Sequence, residues 1–143
     1  MSATVFVDTN VFVYQLDARD PEKQERARAW LERLWTEESG RVSSQVLQEL
    51  YVTVTRKLEN PLAADEARKL VRSLLTWNPV LVDGRVLEAA WRLEDRYDLS
   101  WWDACIVAAA QAARCSTLLT EDLQGGQVLD GVEVVDPFTV PPQ

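Results

Sequence analysis

Apolar residues along this chain alternate between short continuous runs and longer stretches with the helical period, a pattern that predicts strands leading into helices. The first run, over residues 4–7, is β-branched and aromatic; it reads as a strand buried on both faces and passes straight into Asp8-Thr9-Asn10. Asp20-Pro21 marks a helix start, with Asp as N-cap and Pro at the first helical position. Ala27, Trp30, Leu31, Leu34 and Trp35 then trace one apolar stripe, which Ser39-Gly40 ends. A short strand over residues 41–44 leads into a helix over 44–58, whose inner face is Val46, Leu47, Leu50 and Val54, with Glu49 at its margin. Asn60-Pro61 interrupts the chain before a third amphipathic helix carrying Ala67, Leu70, Val71, Leu74 and Leu75. Residues 79–82 read as another strand and Asp83-Gly84 as a turn; Val86, Leu87, Ala90, Trp91 and Tyr97 keep the period of the next helix.

The stretch that follows differs from all of these. Residues 104–110 are uniformly apolar and mostly small, the mark of a helix buried on every side, and Ser100 and Asp103 form the Ser-x-x-Asp pattern of a capping box at its entrance. A further buried strand over 116–120 ends in Glu121-Asp122, and a last one covers 133–135. Strands alternating with helices imply an α/β fold, a three-layer α/β/α domain with a central parallel sheet. The right-handed crossover rule brings the carboxyl ends of the strands to one edge, where open α/β sheets hold their ligands. The whole of residues 1–143 reads as a single domain, with a loose tail over about 138–143.

Composition narrows the chemistry. The apolar content of 47% and charged content of 27% fit a globular domain, and no apolar run approaches the length of a membrane span. The opening Met-Ser-Ala-Thr-Val carries no basic leader, so a cytoplasmic location is expected. Cys105 and Cys115 are too far apart along a helix for a disulfide; Cys105 reads as core and Cys115 as a loop or strand-edge thiol. With no histidine, Ser-His-Asp and Cys-His catalysis and His-metal sites are excluded, which leaves carboxylates as the reactive groups. The net charge of -8 argues against simple electrostatic capture of nucleic acid. Residues 41–72 run against that trend, with six basic residues (Arg41, Arg56, Lys57, Arg68, Lys69, Arg72) against four acidic ones.

Asp8, Glu49, Asp103 and Asp122 all fall at strand ends or on helices able to reach the carboxyl edge, and are expected to form a carboxylate cluster. Asp8 and Asp103 also have plain structural readings as helix-capping residues, and Glu49 one as a solvated side chain. Two carboxylates 4 Å apart at an effective dielectric of about 20 repel by roughly 4 kcal/mol, so such a cluster must take up protons or a cation. Oxygen ligands alone suit Mg²⁺ or Mn²⁺, ions that promote phosphoryl chemistry.

Val-Phe-Val-Asp8-Thr-Asn10, Ser44-Gln-Val-Leu-Gln-Glu49-Leu-Tyr, Leu99-Ser-Trp-Trp-Asp103-Ala and Leu118-Leu-Thr-Glu-Asp122-Leu, in this order, resemble the PIN domain family and within it the VapC toxins of toxin-antitoxin systems. The resemblance runs from about residue 4 to 137. It implies a ribonuclease that hydrolyses RNA with metal-activated water. Asp8, Glu49, Asp103 and Asp122 would be catalytic residues and ligands of Mg²⁺ (or Mn²⁺), with Asn10, Ser100 and Thr120 as polar support. It also implies a homodimer and a VapB-type antitoxin as partner. Arg56, Lys57, Arg68, Lys69 and Arg72 are the expected RNA contacts, from their local charge. Two other classes compete. A non-catalytic scaffold of the same fold would bind RNA or protein without cleaving. A phospho-accepting receiver domain needs two adjacent acids near the first strand and a later strand-end Lys, and neither is evident.

Overall fold

The computed structural model describes residues 3–143, so the first two residues of the opening stretch lie outside the described residues. In chain order the elements are β1 (Val5–Val7), α1 (Thr9–Leu16), α2 (Pro21–Glu37), β2 (Gly40–Arg41), α3 (Ser44–Arg56), α4 (Ala64–Leu74), α5 (Gly84–Tyr97), α6 (Trp101–Ala112), β3 (Thr117–Leu119), β4 (Val128–Leu129) and β5 (Val132–Val135). A 3₁₀ turn over Leu75–Trp77 extends α4. The strands form one sheet in the order β2-β1-β3-β5-β4; all neighbours are parallel except β4 and β5. Helices cover this sheet as the three-layer α/β/α arrangement requires.

Local sequence sets most helix starts. Asp8, Asp20, Ser43, Asp83 and Ser100 each accept a hydrogen bond from a backbone N–H in the first turn of α1, α2, α3, α5 and α6. Helix α4 lacks such a cap but carries Asp65 and Glu66 in its first turn, where the helix dipole favours negative charge. Phe6, Val7, Leu118, Leu119 and Val134 from the sheet, and every residue from 104 to 110 of α6, are buried. Helix α6 is the interior helix that its composition predicts. Gly40 is required for another reason: a Cβ there would run into the ring of Trp77, which itself packs 4.9 Å from Trp35 and 5.7 Å from Phe12.

Three details depart from the pattern-based reading. Residues 79–82 form no strand; Val80 makes an isolated parallel bridge to Ser43, exchanging hydrogen bonds with Val42 and Ser44. Pro79 brings no N–H to a ladder, the Val82 N–H goes to the Ser44 hydroxyl, and Leu81 is left 71% exposed. Strand β4 is an addition, paired with β5 through Asp130-Gly131, both at positive φ as a two-residue hairpin turn demands. Cys115, expected at a loop or strand edge, lies between α6 and β3 but is buried. Beyond β5, Phe138 meets Tyr14 edge-on at 5.0 Å and the Val140 carbonyl accepts from the Trp30 indole at 2.8 Å, so the chain end is tied down as far as Val140.

Candidate active site

The site begins with strand register. Parallel pairing of β1 with β3 sets Val7 against Leu119, so the residues that leave the two strands, Asp8 and Thr120, are side by side although 112 positions apart. The Asp8 N–H continues the ladder to the Leu119 carbonyl at 3.0 Å. Its carboxylate, only 6% exposed, accepts from the Thr9 N–H at 2.7 Å and from the Thr120 hydroxyl at 2.9 Å. Thr120, also buried, accepts in turn from the Asn10 side-chain amide at 3.0 Å and from the Asp122 N–H at 3.1 Å. The Asn10 amide lies 3.2 Å from Asp122 Oδ2 and 3.5 Å from Asp8 Oδ2, and so bridges the two carboxylates.

Glu49 approaches from α3. Its carboxylate accepts from Gln45, one helical turn earlier, at 2.7 Å and from the Thr9 hydroxyl at 3.4 Å. Burial pushes the Asp8 carboxyl up to about 7; the hydrogen bonds from Thr120 and Thr9 oppose that rise, and the charges of Asp122 and Glu49 add to it. Asp8, Asp122 and Glu49 therefore form one electrostatic unit. On α6 the Cys105 thiol, two residues past Asp103, is raised by burial first and then by the charges of Glu94 and Glu49. Ser100 is spent as a helix cap, accepting from the Asp103 N–H at 3.2 Å. The Asp103 side chain is half-buried in the first turn of α6.

The expected carboxylate cluster is not drawn together. Among the described residues, no group of three or more Asp, Glu or Cys side chains converges in metal-ligand geometry. Three of the four acids instead accept from neutral donors: Asp8 from Thr9 and Thr120, Asp122 from Asn10, and Glu49 from Gln45 and Thr9. The donor set still suits a hard divalent ion, since every polar atom is oxygen or amide and the buried Asn10 Oδ1 has no hydrogen-bond partner among the described residues.

Thr9, Gln45 and Lys23 were not singled out by sequence. Gln45 stands at i, i+4 from Glu49, a spacing that could have found it. Lys23 pairs with Glu121 at 2.7 Å, and that hydrogen bond is the main cause of its raised pKa. The basic residues Arg56, Lys57, Arg68, Lys69 and Arg72 are all exposed on α3, α4 and the residue that caps α3. Arg56, Arg68 and Arg72 rim a shallow groove floored by Leu47, Tyr51 and Val71, where α3 packs on α4.

The sheet order and the helices around it define an α/β/α domain with acids at its strand ends, and the family model for the PIN domain matches residues 5–125. The chain belongs to the PIN domain family. Solved structures share the fold over 80–94% of the chain. A toxin-antitoxin complex from Klebsiella pneumoniae is 22% identical, with a TM-score of 0.65, covering 94% of this chain and 98% of that one. VapBC2 from Rickettsia felis, bound to a DNA fragment from its promoter, is 17% identical, with a TM-score of 0.61, covering 92% and 96%. The Mycobacterium tuberculosis toxin VapC20, which cleaves the sarcin-ricin loop, is 20% identical, with a TM-score of 0.58, covering 80% and 87%. Comparison with curated protein sequences finds no match. No helix among the described residues is long and apolar enough to cross a membrane.

Proposed function

We propose that this protein is a metal-dependent endoribonuclease, the VapC-type toxin of a type II toxin-antitoxin pair, acting in the cytoplasm as a homodimer and held in check by a VapB-type antitoxin. The observation that carries the reading is the linked set Asp8, Asn10, Thr120 and Asp122 at the carboxyl edge of a PIN sheet, with Glu49 coupled to it by charge. Likeness in fold to toxin-antitoxin structures supports the choice of system.

In this reading Asp8, Glu49, Asp103 and Asp122 would hold the ion, and the Asn10 Oδ1, without a partner among the described residues, would be available to it. Bound there, Mg²⁺ or Mn²⁺ would supply Lewis acidity for phosphodiester hydrolysis. Thr120 and Thr9 keep the Asp8 carboxylate oriented, and Asn10 sets the spacing between Asp8 and Asp122. The exposed arginines and lysines of α3 and α4 bind the RNA backbone in an otherwise acidic protein.

The decisive experiment incubates purified protein with RNA in Mg²⁺, in Mn²⁺ and in chelator, beside Asp8→Asn and Asp103→Asn variants that retain the fold. Internal cleavage that needs the ion and is lost in both variants is expected. Binding of RNA without cleavage under every condition would replace the nuclease with a scaffold.

A further inference from the structure

Glu121 adjoins the proposed ligand Asp122, yet its side chain turns away from the site. Its carboxylate is paired with Lys23 of α2 at 2.7 Å, and both side chains are largely withdrawn from solvent, at 32% exposure for Lys23 and 23% for Glu121. The ammonium lies 4.6 Å from the centre of the Tyr14 ring and 5.0 Å from that of Phe138, two rings that meet edge-on, and 3.4 Å from the Tyr14 hydroxyl. One cation thus joins α1, α2, the turn after β3 and the segment after β5. A lysine seated against two aromatic rings with a carboxylate in front of it has far less freedom than an isolated surface pair.

What this does for the site follows from the alternation of three consecutive side chains. Thr120 and Asp122 both contact Asn10, whereas Glu121 between them contacts Lys23. Asp122 is otherwise poorly anchored: it is exposed, its carboxylate has the single Asn10 contact, and its N–H rests on the Thr120 hydroxyl. From these contacts we infer that Lys23 is a positioning residue: by clasping Glu121 it fixes the turn so that Asp122 faces Asn10 and Asp8, and it keeps a further carboxylate from swinging into the site. The inference rests on the nuclease reading for the purpose of that placement.

The test uses the full chain and the variants Lys23→Met, which keeps the apolar stem, Glu121→Gln, and Lys23→Arg, which keeps a cation for Glu121 and the two rings. Backbone amide exchange in metal-free protein should accelerate at Asp122 in Lys23→Met and Glu121→Gln, with the β1 amides unchanged, and stay slow in Lys23→Arg. Titration with Mn²⁺ alone, followed calorimetrically, should show affinity about 10-fold weaker in Lys23→Met and Glu121→Gln, the scale of loss typical when a residue supporting a metal ligand is removed. The turnover rate at saturating Mn²⁺ should change much less. Unchanged exchange at Asp122, or unchanged Mn²⁺ affinity despite faster exchange, overturns the positioning role. Failure of the nuclease reading is separate and shows in the unaltered protein, as absence of both Mn²⁺ binding and RNA cleavage.

Discussion

Replacing Asp8 with Asn should make the metal-free protein more stable at alkaline pH, because a carboxyl raised from 3.8 to about 7 is a group the native state is reluctant to ionise. In the unfolded chain Asp releases its proton near pH 3.9, whereas the native protein keeps it until about pH 7, so stability falls as pH rises through this window and is level above it. At about 1.4 kcal/mol for each unit, the full difference is roughly 4 kcal/mol. The substituted amide would retain an acceptor for the Thr9 N–H but would set its own NH₂ group against the Thr120 hydroxyl, a mismatch that costs about 1 kcal/mol. A net gain of about 2–3 kcal/mol remains, equivalent to roughly 6–12 °C in melting temperature for a chain of this size. The assay is thermal unfolding in chelator at about pH 4.5, near the acid end of the titration window, and at about pH 8.5, above it. The two proteins should melt together at the lower pH and separate at the higher, with the variant more stable. Asp17, held below its usual range by the hydrogen bond and charge of Arg19, loses its contribution only at more acid pH and does not enter this window. Excess Mn²⁺ should reverse the order, since a ligand bound to the native state stabilises only the protein that retains the carboxylate. An Asp8→Asn protein no more stable than its parent at alkaline pH in chelator would refute the picture of a buried, repelled carboxylate.

Replacing Thr120 with Val removes the hydroxyl that donates to Asp8, and should move the acid-to-alkaline stability loss to still higher pH while weakening Mn²⁺ affinity; an unmoved profile would show that this bond does not hold the carboxylate. Neutralising Arg56, Arg68 and Arg72 together should weaken RNA binding and lower the slope of log affinity against log salt by about 2–3, one for each lost phosphate contact, and an unchanged slope would move the RNA path off α3 and α4. Gly40→Ala should destabilise the fold without touching the site chemistry, measured as a lower melting point with Mn²⁺ affinity intact, because its Cβ and the Trp77 ring claim the same space. A peptide from the C-terminal segment of the antitoxin should inhibit through an Arg or Lys aimed at Asp8, Glu49, Asp103 and Asp122, so its Ala replacement should inhibit less and added Mn²⁺ should relieve inhibition by the basic peptide; equal inhibition by both peptides at every Mn²⁺ concentration would reduce the mechanism to blocked access.

The order of elements was legible in the sequence because it is written in signals a few residues long. The caps at Asp8, Asp20, Ser43, Asp83 and Ser100 act within three positions, and the apolar run of 104–110 needs no partner to declare itself interior. Asp130-Gly131 was equally local and announces the hairpin that adds β4, while residues 79–82 had strand-like composition but met a proline and a competing serine hydroxyl. The acids at strand ends were visible for the same reason: Asp8 and Asp122 follow apolar runs whose ends the chain itself marks. What the sequence could not decide is which of them meet. Sheet register puts Asp8 against Thr120 across 112 positions, helix packing brings Lys23 to Glu121 across 98, and both are fixed by how whole elements seat on one another. The rest was decided by which donors the packing brings within reach: Asp8 accepts from Thr120 and Asp122 from Asn10, each across 112 positions, and Glu49 from Thr9 across 40.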